Sequence, residues 1–150
     1  MEIKRRHLLG GIGGSLIVPH AHAAEPVIEE KKMNNNITLS THILDMVSGK
    51  PAPDVKVILY KDTTNLFEGH TNIDGRCIVI PQNQKIFLPG YYQLAFHVAD
   101  YFKRQQYVVT DPPFLNIVRI DFGIAKNPVS DHYHVPLLLS PYGFSTYKGS

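Results

Sequence analysis

Residues 37–44 of the chain, from Ile37 to Leu44, read ITLSTHIL. Its residues alternate between two faces, as expected of a strand that rests one face on a core. The inward set is Ile37, Leu39, Thr41 and Ile43, and the outward set is Thr38, Ser40, His42 and Leu44. The stretch therefore predicts a half-buried β-strand.

Seven further segments of strand type follow this one. They are Val55–Tyr60, Leu66–Thr71, Ile78–Ile80, Tyr91–His97, Asn116–Ile124, His132–Leu138 and Tyr142–Tyr147. Turn signals such as Asp74-Gly75 and Pro89-Gly90 separate them. Eight short strands predict an all-β sandwich or barrel. A single helix of one or two turns is expected at Ala99–Arg104.

The N-terminal residues have the pattern of an export signal. Lys4, Arg5 and Arg6 precede an apolar stretch from Leu8 to Val18, and Ala21-His22-Ala23 supplies a cleavage site. We expect residues 1–23 to be the signal peptide, 24–36 a flexible leader and 37–150 the folded domain. The interrupted apolar stretch is too short for a transmembrane anchor. The paired arginines fit a twin-arginine signal and also an ordinary secretory signal, and a periplasmic location follows from either.

The charge of the chain belongs mainly to this signal. Removing residues 1–23 removes three of the 15 basic residues and one of the 13 acidic ones, which leaves 12 of each. A neutral mature protein gives no indication of a nucleic-acid or anionic-membrane partner, and small molecules fit better. Cys77 is the single cysteine, so no internal disulfide forms, and no set of ligands has the spacing of a zinc site. Cys77 is either packed in the core or an oxidisable thiol.

The outward positions indicate an oligomer. The His132–Leu138 segment places Tyr133, Val135 and Leu137 inward and His132, His134, Pro136 and Leu138 outward. Leu44 joins the outward set of the first strand. Apolar side chains on an outer face favour a covering subunit. We therefore expect His42 and His134 at or near a subunit interface.

Two histidines and one arginine are candidates for chemistry. His42 and His134 lie beside apolar neighbours, where a partly desolvated imidazole stays neutral and acts as a base. His70 and His97 are expected to be solvated or structural. For Arg76, the residue pattern alone favours a surface salt bridge. The sequence has neither a Gly-x-Ser-x-Gly elbow nor a phosphate-binding glycine loop.

The chain resembles the transthyretin-related 5-hydroxyisourate hydrolases from Ile37 to Ser150. The resemblance rests on the motifs STHILD at Ser40–Asp45, Asp74-Gly75-Arg76, the run Tyr133–Ser145 and the ending Tyr147-Lys148-Gly149-Ser150. It implies a prealbumin-like sandwich of two four-stranded sheets, with the first, fourth, seventh and eighth strands in one sheet. It also implies a homotetramer with active sites at the dimer–dimer interface.

The resemblance further implies a cofactor-free reaction. Family members open a ring amide of 5-hydroxyisourate, the product of urate oxidation, to give 2-oxo-4-hydroxy-4-carboxy-5-ureidoimidazoline. By position, the implied catalytic residues are His42, Arg76 and His134. The implied substrate-binding residues are these three with Tyr147, Lys148, Gly149 and Ser150. Many members have arginine at position 148, and lysine lacks its bidentate fork, so substrate affinity is the property most affected.

Two other functions fit the same fold class. A transthyretin-like carrier would bind a small aromatic ligand without catalysis, because a fold alone does not decide function. An exported sandwich used for protein contacts would use its outward leucines and histidines as a partner surface. The site residues and the Tyr-Lys-Gly-Ser ending favour the hydrolase.

Overall fold

The computed structural model describes residues 37–80, 88–126 and 128–149. The expected signal peptide, the expected leader and Ser150 lie outside these ranges. Within them, the elements are β1 Thr38–Asp45, β2 Lys50–Pro51, β3 Lys56–Lys61, β4 Thr64–His70, β5 Arg76–Ile80, β6 Gly90–His97, α1 Ala99–Arg104, β7 Ile117–Ile124, β8 His132–His134, β9 Leu137–Ser140 and β10 Gly143–Thr146. No helix in the described ranges is long and apolar enough to span a membrane.

Strand β1 forms the centre of the first sheet. Its first half pairs with β5 and β8, and its second half pairs with β2 and β9. The pairings with β8 and β9 are parallel, and those with β2 and β5 are antiparallel. Strand β10 is paired antiparallel with β9 at one edge. The first, fourth, seventh and eighth predicted segments therefore share one sheet, as the family resemblance implied.

The second sheet has the order β4-β3-β6-β7, with antiparallel pairing throughout. Apolar residues of both sheets form a single core, and the largest wholly buried side chains include Tyr101, Phe96 and Phe102. Tyr101 and Phe102 belong to α1, which spans the residues predicted for it. The structure thus confirms the predicted all-β sandwich of two sheets with one short helix.

The seventh predicted segment differs from the expectation. A single strand was predicted from His132 to Leu138, but β8 ends at His134 and β9 begins at Leu137. Pro136 interrupts the ladder because it has no N–H to donate. Its carbonyl accepts a hydrogen bond from the Thr146 hydroxyl at 2.8 Å. Pro136 was expected on the outer face, and it is instead buried.

A buried carboxylate fixes the end of β1. Asp45 has no solvent exposure, and its oxygens accept hydrogen bonds from the Val47 N–H, the Ser48 hydroxyl and the Tyr101 and Tyr107 phenols. Burial would raise the pKa of the Asp45 carboxyl, but these hydrogen bonds outweigh it and hold the pKa below the ordinary value. Asp45 therefore joins β1 to α1 and to the segment that follows α1.

Candidate active site on the outer face of the first sheet

Strand pairing brings the three predicted catalytic residues onto one face. His42 of β1 lies directly opposite Arg76 of β5, and Ser40 of β1 lies opposite His134 of β8. The odd-numbered residues of β1 from Leu39 to Asp45 are buried, whereas its even-numbered residues are half-buried. The face of β1 that carries His42 is therefore the outer one, as the alternation predicted.

A tight turn places Arg76 at the start of β5. The Asn72 side-chain oxygen accepts hydrogen bonds from the N–H groups of Asp74 at 3.0 Å and Arg76 at 2.9 Å. Gly75 has a φ of 68°, and its carbonyl accepts from the Ile43 N–H at 2.8 Å. A Cβ at Gly75 would lie 2.6 Å from the Ile43 carbonyl oxygen, so only glycine fits this close approach. The turn is thereby fastened to β1 beside His42.

Electrostatics favour the neutral form of both imidazoles. Burial and the charge of Arg76 lower the pKa of His42, against an opposing hydrogen bond with the Asp74 backbone. Burial, Arg76, His132 and His42 lower the pKa of His134, against an opposing hydrogen bond with the Ser40 backbone. A neutral imidazole has one nitrogen free to accept a proton, which is the requirement for a general base.

The C-terminal segment returns to His134 through its backbone. The Gly149 N–H donates to the His134 carbonyl at 2.8 Å, in an isolated antiparallel bridge. A Cβ at Gly149 would lie 2.5 Å from Cδ2 of the His134 ring. Glycine at this position therefore allows the chain to pass directly over the imidazole. Ser150, the next predicted site residue, lies outside the described residues.

Tyr147 and Lys148 lie in a different environment. They line a cavity of about 300 Å³ together with Tyr133, Val135, Thr146 and residues 120–123 of β7. The Lys148 ammonium lies 5.5 Å from the centroid of the Tyr133 ring. His42, Arg76 and His134 are not part of this lining. Of the predicted tail residues in the described ranges, the structure thus brings Gly149 to His134 and places Tyr147 and Lys148 beside β7.

Three polar residues that connect to His134 by side-chain contacts, directly or through His132, were not among the predicted site residues. The Ser40 hydroxyl lies 2.8 Å from His134 Nδ1 and 3.4 Å from His132 Nε2. The Thr38 hydroxyl lies 2.7 Å from His132 Nδ1. The alternation had already placed Thr38, Ser40 and His132 outward, but the pairing of β1 with β8 was needed to bring them together.

The remaining candidates lie apart from this face. His70 and His97 belong to β4 and β6 of the second sheet. Cys77 is buried in the core, where burial raises the pKa of its thiol, so the packed interpretation holds. Among the described residues, no group of three or more His, Cys, Asp or Glu side chains is placed to hold a metal ion.

Comparison with known proteins identifies the family of this chain. A model of the HIUase/Transthyretin family matches residues 39–149. The chain belongs to this family. The match includes His42, Arg76, His134 and Gly149, so the residues on the outer face lie within the family's common domain.

The matches with individual relatives cover nearly the whole length of those proteins. The 5-hydroxyisourate hydrolase 2 of Rhizobium meliloti (strain 1021) is 45% identical over 122 residues, which cover 79% of this chain and 100% of that protein. The structure of Klebsiella pneumoniae 5-hydroxyisourate hydrolase has a TM-score of 0.64 at 35% identity, covering 76% of this chain and 99% of that one. The structure of sea bream transthyretin in complex with thyroxine has a TM-score of 0.63 at 29% identity, covering 74% of this chain and 93% of that one.

Proposed function

We propose that this protein is an enzyme that hydrolyses 5-hydroxyisourate to 2-oxo-4-hydroxy-4-carboxy-5-ureidoimidazoline in urate catabolism. The observation that carries the proposal is the outer face of the first sheet. There His42 of β1 lies between Arg76 of β5 and His134 of β8, and the pKa of both imidazoles is lowered. The relatives of this chain are named 5-hydroxyisourate hydrolases. The reaction is the opening of a cyclic amide by water.

The two imidazoles supply the proton transfers of this mechanism. One neutral imidazole, of His42 or of His134, takes a proton from water as the water attacks the ring carbonyl. The other orients the water or protonates the departing nitrogen. Because both rings have a pKa below the ordinary histidine value, both are mostly neutral at pH 7. No cofactor is required for these steps.

Arg76 supplies the positive charge. Attack on the carbonyl places negative charge on its oxygen, and a preorganised donor held nearby stabilises that charge. The turn fastens the backbone of Arg76 beside His42, so in this proposal the guanidinium reaches the substrate from a fixed position at the start of β5. In this proposal the C-terminal residues from Tyr147 to Ser150 also contribute to substrate binding. Gly149 does so beside His134, whereas Tyr147 and Lys148, which line the cavity beside β7, would have to turn toward the outer face of the first sheet.

The proposal includes a homotetramer with sites at a subunit interface. Ile78 lies two residues after Arg76 on β5, and 69% of its surface is exposed. Leu44 and Leu138 are half-buried on β1 and β9 of the same sheet. Apolar side chains beside a polar site support a covering partner, which would also exclude water from the substrate.

The proposal also includes export to the periplasm. Its support is the sequence pattern of residues 1–23, with Arg5 and Arg6 before an apolar stretch and Ala21-His22-Ala23 after it. Sequencing the N-terminus of the protein recovered from the periplasmic fraction tests it. A start at Ala24 is expected, and recovery of the full-length chain in the cytoplasm contradicts export.

Ligand carriage is the second candidate function. It is favoured by the likeness to a transthyretin solved with thyroxine. The two functions are separated by generating 5-hydroxyisourate from urate with urate oxidase and following the ultraviolet absorbance as it decays. An enzyme accelerates the decay beyond the spontaneous rate. A folded protein that leaves the decay at the background rate would be a carrier instead.

A further inference from the structure

Four side chains form a continuous hydrogen-bonded row beside the candidate active site. Strand β1 supplies Thr38 and Ser40, and β8 supplies His132 and His134, which are their register partners. The order along the row is Thr38, His132, Ser40, His134, with separations of 2.7, 3.4 and 2.8 Å. The two rings are stacked, with centroids 6.3 Å apart and planes 15° from parallel. His134 is the one member with a role in the proposed reaction.

The row couples the protonation of its two imidazoles. A serine hydroxyl has a single proton, so Ser40 can donate to His132 or to His134 but not to both. If it donates to His132 Nε2, then Nδ1 of His134 must carry a proton to bond with the Ser40 oxygen. If it donates to His134 Nδ1, the proton of a neutral His134 is on Nε2. The hydroxyl thus links the tautomer of one ring to that of the other.

One direction of the row suits a base at His134. When Nδ1–H of His134 donates to Ser40, Nε2 keeps its lone pair and can accept a proton from water. The Ser40 hydroxyl then donates to His132 Nε2, and Nδ1–H of His132 donates to Thr38. Nδ1 of His134 is the ring nitrogen that faces Ser40, 2.8 Å from its hydroxyl, so in this direction the free lone pair of Nε2 lies on the side of the ring away from Ser40.

The charged and titratable groups around His134 affect whether the ring is charged, but they do not select which of its nitrogens carries the proton. Arg76 on β5, His42 on β1 and His132 on β8 all lower the tendency of His134 to become charged. The C-terminal segment contributes the Gly149 N–H, which bonds the His134 carbonyl and not the ring. These groups favour the neutral ring, but the row decides which nitrogen carries its proton.

We propose that Ser40 and His132 are positioning residues that hold His134 as its Nδ1–H tautomer and so present Nε2 as the proton acceptor. The consequence for catalysis rests on the proposed hydrolysis of 5-hydroxyisourate, whereas the tautomer itself is a property of the free protein. The two are therefore measured separately.

The tautomer is read by nitrogen NMR of the full chain labelled with ¹⁵N-histidine at pH 7.5, with His134 assigned from the signals lost in His134→Asn. The wild type should show a protonated Nδ1 and an unprotonated Nε2. His132→Phe keeps a stacked ring but removes the acceptor, so Ser40 turns to donate to His134 and the proton moves to Nε2. Ser40→Ala should give a mixture, and His97→Asn on the second sheet should change nothing. A wild-type proton on Nε2, or an unchanged His134 in His132→Phe, overturns the proposal.

The kinetic test uses the same variants. Ser40→Ala and His132→Phe should lower kcat by about 10- to 100-fold, the effect typical of removing the hydrogen-bond partner of a metal-bound histidine, with KM nearly unchanged. Ser40→Thr retains the hydroxyl and should restore most of kcat. Near wild-type kcat in His132→Phe overturns the positioning role. If the wild type itself does not accelerate hydrolysis, the proposed function fails while the NMR result still decides the tautomer.

Discussion

At the scale of single residues, the site depends on how each imidazole is held. His42 has a hydrogen bond to the Asp74 backbone, within the turn that also carries Arg76. His134 contacts the Ser40 hydroxyl on β1 and lies under Gly149 of the C-terminal segment. Each ring is fixed by a different element, so each can be altered without displacing the other. Substitution experiments can therefore assign their roles separately.

Replacing either imidazole should reduce turnover while leaving the fold intact. His42→Asn and His134→Asn should each lower kcat by about 10² to 10⁴, the usual contribution of general acid–base catalysis. In the wild type, kcat should rise from acid pH to a plateau with an apparent pKa below 6.5, because burial and Arg76 lower the pKa of both rings. His70→Asn, on the second sheet, is the matched control. Unchanged kcat in His42→Asn or in His134→Asn would remove that residue from the mechanism.

Gly149 should tolerate no side chain. Gly149→Ala would place a Cβ 2.5 Å from the His134 ring, so either the ring or the C-terminal segment must move. We expect kcat/KM to fall by at least about tenfold, since small misplacements of catalytic groups have large effects on rate. Gly143→Ala is the control, because a Cβ at Gly143 meets only the Ser140 hydroxyl at 3.9 Å. Equal activity of the two variants would show that the approach at Gly149 is unimportant.

At the scale of elements, Asp45 connects the first sheet to α1. It lies at the end of β1, on the face opposite to His42, and the Tyr101 and Tyr107 phenols both donate to its Oδ2. Hydrogen bonding to Asp45 contributes to the raised pKa of both phenols: burial is the larger cause for Tyr101, and the Asp45 bond itself for Tyr107. The Asp45 carboxyl is therefore held ionised as an acceptor, and the Tyr101 and Tyr107 phenols are held neutral as donors.

Substitution of Asp45 should destabilise the fold in a pH-dependent way. Asp45→Asn should lower the free energy of unfolding at pH 7 by about 2 kcal/mol, because a charged acceptor of several hydrogen bonds is lost. The folded pKa is below the ordinary value of 3.8, so this contribution is complete above pH 3.8 and disappears as the pH falls through the folded pKa. Urea unfolding at pH 7 and at pH 2.5 measures the difference. Tyr107→Phe, which removes one donor, should cost about 1 kcal/mol. A difference between wild type and Asp45→Asn that is the same at both pH values would contradict this assignment.

The strands and the C-terminal segment also show how far the sequence could predict the structure. The alternation in β1 was sufficient to place Ser40 and His42 outward, because a strand has only two faces. The two-residue strand β2 is too short to show any period. Local pattern also could not separate Gly149 from Tyr147 and Lys148, because their positions depend on contacts with the distant residues His134 and Tyr133. Likewise, the partners of Ser40 are 92 and 94 residues away along the chain.

At the scale of the whole molecule, the outer face of the first sheet combines a polar site with uncovered apolar surface. His42, Arg76 and His134 lie among Ile78, Leu44 and Leu138 on a sheet whose other face forms the core. Enclosing a site on this face would exclude water and so strengthen its electrostatic interactions with a small polar substrate. A second subunit on this face would both cover the apolar residues and enclose the substrate.

Assembly and activity should therefore be lost together. Ile78→Asp places a charge in the proposed interface, and leaving it there unpaired would cost at least about 2 kcal/mol for each copy. In analytical ultracentrifugation at micromolar concentration, the wild type should sediment at four times the monomer mass and Ile78→Asp as smaller species with reduced kcat/KM. Val108→Asp changes an apolar residue that is 96% exposed and lies after α1, so it should leave both properties unchanged. A fully active monomeric Ile78→Asp variant would show that one chain completes the site, and the interface would then have no role in the chemistry.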